Sequence, residues 1–131
     1  MEAEKNYISG KQDADIFVRQ LLNIGEAMYQ SGGEISRIEN SLYRLGKAYG
    51  AQHVSVYAIT SSILITVEFN DDYSVTQNRR ITRRGAIDCT KMESLNQLCR
   101  DCAEDPIAVA ELKERVLAIL QEKPGEPQRY I

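Results

Sequence analysis

The sequence predicts an α+β fold with a helix hairpin, a three-stranded antiparallel sheet and two C-terminal helices. Apolar residues recur every three or four positions through residues 13–49, alternate with period two through 53–83, and return to the helical period in 90–123. The 131 residues are 43% hydrophobic and 27% charged, which suffices for one domain with a core of ordinary size. The helices on either side of the sheet segment then supply the cover that its apolar face requires.

The first two helices are predicted to pack as a hairpin. Asp13 or Asp15 caps the first helix, which runs to about Gln30. Gly32-Gly33 ends it with a sharp turn, because glycine tolerates positive φ. The short connection implies antiparallel neighbours. The buried face of the first helix comprises Phe17, Leu21, Ile24 and Met28.

The second helix is predicted from Glu34 to Tyr49, with Gly50 just beyond its C-terminal cap. Ser31 and Glu34 have the spacing of a capping box at its start. Its buried face comprises Ile35, Ile38, Leu42, Leu45 and Tyr49.

The middle of the chain is predicted to form an antiparallel meander. His53–Ile59 and Ile63–Phe69 alternate strongly, and a more polar third strand is expected between Val75 and Arg83. Thr60-Ser61-Ser62 and Asn70-Asp71-Asp72 are predicted to be the turns between them.

Two further helices are predicted at the C-terminal side. Thr90-Lys91-Met92-Glu93 has the spacing of a capping box for the first, and Asp105-Pro106 supplies an N-cap and a first helical residue for the second. Pro124-Gly125-Glu126-Pro127 is expected to stop it. The buried face of the first comprises Met92, Leu95, Leu98, Cys99 and Cys102, and that of the second comprises Val109, Leu112, Val116 and Ile119 or Leu120.

The predicted organisation is a flexible leader at 1–12, a single α+β domain at 13–123, and a linker at 124–131. No apolar run approaches the roughly 18–20 residues that a membrane-spanning helix needs, and the N-terminus lacks the apolar region of a signal peptide. We therefore expect a soluble domain that is not secreted. Because Arg129-Tyr130-Ile131 is an apolar, aromatic and basic ending after a Pro/Gly linker, we expect the chain to have been cut from a longer protein.

Charge and cysteine content narrow the function classes. The net charge of −3 argues against a nucleic-acid binder with a broad basic face, although Arg79-Arg80 and Arg83-Arg84 form a local basic cluster. Three cysteines argue against a disulfide framework and fit a reducing compartment. Cys99-x-x-Cys102 lies within a predicted helix, and no second pair completes a metal site. We expect structural cysteines, no metal and no cofactor.

The most chemically suggestive segment is the start of the second helix. Glu34, Arg37 and Glu39 follow a glycine loop there, and a helix N-terminus with free backbone N–H groups favours a small anionic group. Arg37 could bind a carboxylate with two hydrogen bonds. The alternative is an ordinary helix start with a surface ion pair, or an ion network that joins this helix to the third strand. No nucleophile elbow, phosphate loop, zinc helix or dinucleotide motif occurs.

Residues 25–39, Gly-Glu-Ala-Met-Tyr-Gln-Ser-Gly-Gly-Glu-Ile-Ser-Arg-Ile-Glu, followed by Ala48-Tyr49-Gly50, resemble the signature of the threonine/serine exporter family. In that family a helix ends in a Ser-Gly-Ala/Gly-Glu segment that is followed by Arg-x-Glu. The later order of strand, polar turn, strand, Arg-rich strand and then Asp88, Lys91 and Leu95-Asn96 is similar too. The resemblance covers residues 13–131.

The family's polar signature, carried over residue by residue, comprises Ser31, Gly33, Glu34, Arg37 and Glu39, to which we add Arg84, Asp88 and Asn96 as less secure candidates for substrate binding or gating.

The resemblance implies the hydrophilic N-terminal domain of an integral membrane exporter, on the cytoplasmic face of the inner cell membrane. The membrane helices would follow in the same chain or belong to a small membrane partner protein. The exported substrate would be a small amino acid such as threonine or serine, or a dicarboxylate. Two alternatives stay open: a hydrolase-like domain with Glu34 or Glu39 as general base, and a structural module that forms homo-oligomers.

Overall fold

The helices and strands follow one another in the predicted order. A computed structural model describes residues 7–59, 61–69, 73–81 and 88–122. Within them the elements are α1 Lys11–Gln30, α2 Ile35–Ala48, β1 His53–Ile59, β2 Ser62–Phe69, β3 Tyr73–Arg80, α3 Cys89–Glu104 and α4 Val109–Leu120. The α+β class, the helix hairpin, the three-stranded sheet and the two C-terminal helices are confirmed.

The sheet is an antiparallel meander of order β1-β2-β3. Its central strand places Ile63, Ile65 and Val67 fully inside the core, because α1 packs on β2 and β3 while α2 packs on β1. The outer face is open to solvent. Tyr57 and Leu64 lie opposite each other in the ladder and are 64% and 39% exposed.

Both helices of the hairpin end in Schellman motifs, in which backbone N–H groups beyond the helix bond to carbonyls of its last turn. At the end of α1, Gly33 N–H donates to Met28 O and Gly32 N–H to Tyr29 O. At the end of α2, the Ala51 N–H donates to Gly46 O and the Gly50 N–H to Lys47 O. Gly32 and Gly50 have φ values of +96° and +95°, which explains why each loop carries a glycine there.

The start of α1 differs from the prediction. Gly10 precedes the first helical residue, with a φ of +102°, and no side chain caps the helix. The Asp13 carboxylate instead accepts hydrogen bonds from the backbone N–H and the hydroxyl of Ser9. Within the predicted leader, Ile8 is buried and the ring of Tyr7 packs edge-on against the ring of Tyr49.

The predicted capping box at the start of α2 is also wrong. Ser31 is the C-terminal cap of α1, so its backbone belongs to the preceding helix. Glu34 holds the N-cap position of α2 without a side-chain bond to the helix backbone. Its carboxylate accepts a hydrogen bond from the Ser36 hydroxyl at 2.6 Å.

The starts of α3 and α4 lie at other residues than predicted. Asp88 caps α3 by accepting the Lys91 N–H at 3.0 Å, which puts Thr90 inside the helix. Asp105 ends α3, and α4 begins only after Ala108. The hydroxyl of Tyr49, just after α2, hydrogen-bonds to the carbonyl and the N–H of Ile107. Residues 106–108 lie outside the helix.

Several sequence predictions fall outside the described residues. They are Thr60 of the first turn, the Asn70-Asp71-Asp72 turn, the end of the third strand at Thr82-Arg83, the candidate Arg84, and the stop and linker beyond residue 122. Among the described helices, none combines the length and the hydropathy that crossing a membrane would require.

Candidate functional site

A groove runs along the seam between α2 and α3. The two helices lie side by side in the same direction. Their starts are joined by a hydrogen bond from the Asp88 N–H to Ser31 O at 3.3 Å, and Tyr49, just after α2, contacts Cys102 near the end of α3. The groove has a volume of about 1520 Å³.

One end of this groove, which we call the loop end, lies where both helices begin. Five of the eight predicted site residues line the groove, namely Ser31, Gly33, Glu34, Arg37 and Asn96. Ser31 is buried, Asn96 is half-buried, and Glu34 and Arg37 are exposed. The structure thus brings together residues that are 65 positions apart, counted from Ser31 to Asn96.

Gly33 lets the loop approach α3 closely. A Cβ atom at this position would lie 2.6 Å from Met92 Cε and 2.9 Å from the backbone oxygen of Met28. Both distances are shorter than carbon atoms tolerate in contact. The glycine at residue 33 therefore fits this close packing, whereas an alanine would require the Met92 side chain and the loop backbone to shift.

The first turn of α2 offers unused hydrogen-bond donors at the loop end. Within the described residues, the N–H groups of Ile35 and Ser36 have no hydrogen-bond acceptor. The guanidinium of Arg37 likewise has neither an ion pair nor a hydrogen bond there. Backbone amides at a helix N-terminus and a guanidinium each favour a carboxylate; of these residues, Ser36 and Arg37 line the groove.

Glu39 does not lie at the loop end. Its Oε2 atom accepts a hydrogen bond from the Ala58 N–H on β1 at 3.2 Å, and it does not line the groove. Glu34 and Glu39 therefore do not form a carboxylate pair. The open alternative placed Arg37 in an ion network with the third strand, but within the described residues Arg37 makes no ion pair and lines the groove with α3.

Among the described residues, Arg79 joins a strand to a helix. It binds Glu26 at 3.2 Å and the side-chain oxygen of Asn23, both on α1. Arg80 is exposed. This ion pair therefore joins β3 to α1, not to α2 as the open alternative had it, and its residues do not line the groove.

Asp88 and Glu122 lie near each other where α3 begins and α4 has ended. The Asp88 carboxylate is occupied by the helix cap. Burial raises the pKa of the Glu122 carboxyl, with Lys91 opposing the rise and Asp88 adding to it. Neither oxygen of Glu122 has a hydrogen-bond partner among the described residues. Nothing in the sequence around residue 122 marks this position.

The three cysteines are free thiols. Cys99 and Cys102 are buried in the α3 face that meets the core, whereas Cys89 is exposed. Across the part of the chain that the structure describes, no three His, Cys, Asp or Glu side chains converge as metal ligands.

Residues 19–130 match the sequence model of the family described as Putative threonine/serine exporter. The chain belongs to the threonine/serine exporter family. No curated protein and no solved structure gives a significant match. The matched range includes both helices of the groove, and membership in this exporter family implies an association with a membrane.

In this threonine/serine exporter family member, sequence reasoning missed the basic residues farther along the groove. Arg44 and Lys47 on α2 and Arg100 on α3 line it beyond the loop end. Arg44 follows Arg37 by seven residues, and this spacing on one side of a helix was the available signal.

Proposed function

We propose that this chain is a cytoplasmic accessory domain of an exporter of small amino acids, such as threonine and serine, or of dicarboxylates. It would sample the substrate or couple substrate binding to the transport gate, on the cytoplasmic face of the cell membrane. Its partner would be a transmembrane domain in the same chain or a small membrane protein. Family membership supports the link to export, and the Arg37 guanidinium at the loop end, which has no partner among the described residues, carries the assignment of the site.

The groups at the loop end match the charges of these substrates. A substrate carboxylate would bind the Arg37 guanidinium and the N–H groups of Ile35 and Ser36, since charge-assisted hydrogen bonds are the stronger ones. The ammonium group of an amino acid would bind the Glu34 carboxylate. The Asn96 amide, which has no hydrogen-bond partner among the described residues, would bind a hydroxyl group.

Calorimetric titration of the chain with threonine, serine and succinate tests this site. We expect saturable binding of at least one of them, and loss of that binding in Arg37→Ala. Arg37→Lys keeps the charge but not the two-pronged geometry, so it should restore binding only in part. Arg115→Ala is the matched control, because Arg115 is exposed on α4 and pairs with Glu111.

Absence of binding at millimolar ligand, or equal binding by wild type and Arg37→Ala, would contradict the site. The same substitution made in the complete exporter provides an independent readout. We expect Arg37→Ala to lower the transport rate or the apparent substrate affinity there, whereas Arg115→Ala should leave both unchanged.

Hydrolysis with Glu34 or Glu39 as general base stays a prediction. The two carboxylates lie apart, so an enzyme would use them separately. Hydrolysis of ester or amide substrates by the chain, together with its loss in Glu34→Gln, would favour an enzymatic function. Homo-oligomerisation also stays a prediction, and sedimentation of Tyr57→Ser and Leu64→Ser variants tests it at the exposed outer face of the sheet.

A further inference from the structure

The groove between α2 and α3 is larger than a site for threonine or succinate needs. Its volume of about 1520 Å³ exceeds the roughly 300–1,000 Å³ of small-molecule pockets. It continues from the loop end to Lys47 and Glu104, near the C-terminal ends of both helices. From Glu34 to Lys47 the rise of α2 gives it a length of about 20 Å, which is the length of a short helix.

Beyond the loop end, the lining residues that are partly or fully buried have small side chains, and we call them the floor of the groove. They are Ser41 and Ala48 on α2 and Cys99 and Ala103 on α3. Small residues in a seam allow a further helix to approach to the usual interaxial distance of about 8–10 Å.

The α2 side of the groove is basic. Arg37 and Arg44 are exposed, and neither makes an ion pair or a hydrogen bond within the described chain. Lys47 follows them and donates to the backbone oxygen of Gln52. The α3 side is mixed, with Arg100 between Glu93 and Glu104. A partner with negative charge along the α2 side would therefore be complementary.

The spacing of Arg37 and Arg44, the two groove arginines without a partner in the described chain, selects a helical partner. Seven residues on a helix are about two turns, or about 10.5 Å. A helix presents residues seven apart on one side, so two acidic residues at that spacing can face both arginines. An extended strand covers the same distance in about three residues, whose side chains at i and i+3 point to opposite faces.

We propose that this groove binds an amphipathic α-helix of a partner protein. Small apolar residues of that helix face the floor, and two acidic residues seven positions apart face Arg37 and Arg44. The docked helix requires no ligand at the loop end. Where the proposed function also holds, a substrate carboxylate competes with the helix for Arg37, which would couple substrate binding to partner release.

Fluorescence anisotropy with labelled helical peptides tests the docking. The probe is an alanine- and leucine-based peptide of about 18 residues, longer than the groove, with two glutamates seven positions apart beside its apolar face. Its control peptide has lysines in their place. We expect saturable binding of the acidic peptide, weaker binding as salt concentration rises, and much weaker binding of the basic one.

Arg44→Glu should weaken binding of the acidic peptide about tenfold or more, as loss of a close charge pair does, and should improve binding of the basic peptide. Lys113→Glu is the matched control, since it changes the same charge on an exposed position of α4 and should leave both affinities unchanged. Circular dichroism verifies that the variants fold.

Three results would overturn helix docking: no saturable binding at peptide concentrations up to about 1 mM, equal affinity for the acidic and basic peptides, or an Arg44→Glu variant that binds as wild type does. Titration of Arg44→Glu with threonine and succinate separates helix docking from the small-ligand site. Binding of the peptide without binding of any small ligand would contradict the proposed function alone. Binding of a small ligand without binding of the peptide would contradict helix docking alone.

Discussion

The Glu39 carboxylate on α2 accepts a hydrogen bond from the backbone N–H of Ala58 on β1, with 3.2 Å between Oε2 and N. β1 is an outer strand in the described sheet, and unpaired N–H groups on such a strand can pair with another chain. Glu39 therefore covers an edge donor and fastens the helix hairpin to the sheet.

Replacing Glu39 should affect stability and leave the groove intact. Glu39→Ala leaves the half-buried Ala58 N–H without its acceptor, and we expect the free energy of unfolding in urea to fall by about 1 kcal/mol. Glu39→Gln keeps an acceptor oxygen and should lose less. Ligand binding that vanished in Glu39→Gln while stability stayed unchanged would show instead that Glu39 belongs to the binding site.

The Tyr49 hydroxyl joins the end of α2 to the connection between α3 and α4. It donates to Ile107 O at 2.7 Å and accepts from Ile107 N–H at 3.1 Å, while its ring stacks on Phe17 at 4.5 Å between centroids. Tyr49→Phe keeps the ring and leaves two backbone groups unpaired. We expect a loss of about 1–3 kcal/mol in unfolding free energy.

Tyr43→Phe provides the control for Tyr49→Phe. The Tyr43 side chain is 46% exposed, so its variant should stay within about 0.5 kcal/mol of wild type. Equal stability of the two variants would argue that solvent satisfies the Ile107 backbone in place of Tyr49.

Substitution of Gly33 should be costly because of the space around it. In Gly33→Ala the new methyl group meets Met92 Cε and the backbone oxygen of Met28, and we expect a loss of about 1–3 kcal/mol from overpacking. The double variant Gly33→Ala/Met92→Ala should show coupling in a double-mutant cycle, because the Met92 contact disappears while the Met28 contact stays. Strict additivity of the two changes would contradict the close approach.

The elements were predictable because burial of one face imposes a spacing that a single sequence displays. Ile63, Ile65 and Val67 alternate in β2, and all three are fully buried. The residues at which the helices start were not predictable in the same way, because a cap depends on which neighbouring group takes each hydrogen bond. Asp13 bonds to Ser9, and the Ile107 N–H bonds to a hydroxyl 58 residues away.

The same distinction applies to the candidate site. Ser31, Glu34 and Arg37 were found together because they are close along one loop and one helical turn. Glu39 is only two residues beyond Arg37, yet two residues rotate by about 200° around a helix, so it faces β1. The seven-residue spacing of Arg37 and Arg44 places both on one side of α2, but the groove that they line arises from the packing of α2 with α3, and no local pattern records that packing.

The buried Cys99 thiol should make the fold sensitive to alkali. Burial raises its pKa from an ordinary value of 9.0 to about 12, with Cys102 adding to the rise and Arg100 opposing it. Between these values the unfolded chain binds fewer protons than the folded chain, so the free energy of unfolding falls as pH rises, by up to about 1.4 kcal/mol per pH unit. Urea unfolding curves at several pH values from about 8 to about 11 measure this slope.

Cys99→Ala should make the slope of the unfolding free energy against pH shallower but not flat, since burial also raises the pKa of Tyr49. Cys89→Ala is the control, because Cys89 is exposed and its removal should leave the wild-type slope. If Cys99→Ala and wild type lost stability equally between those pH values, ionisation of Cys99 would not be the cause.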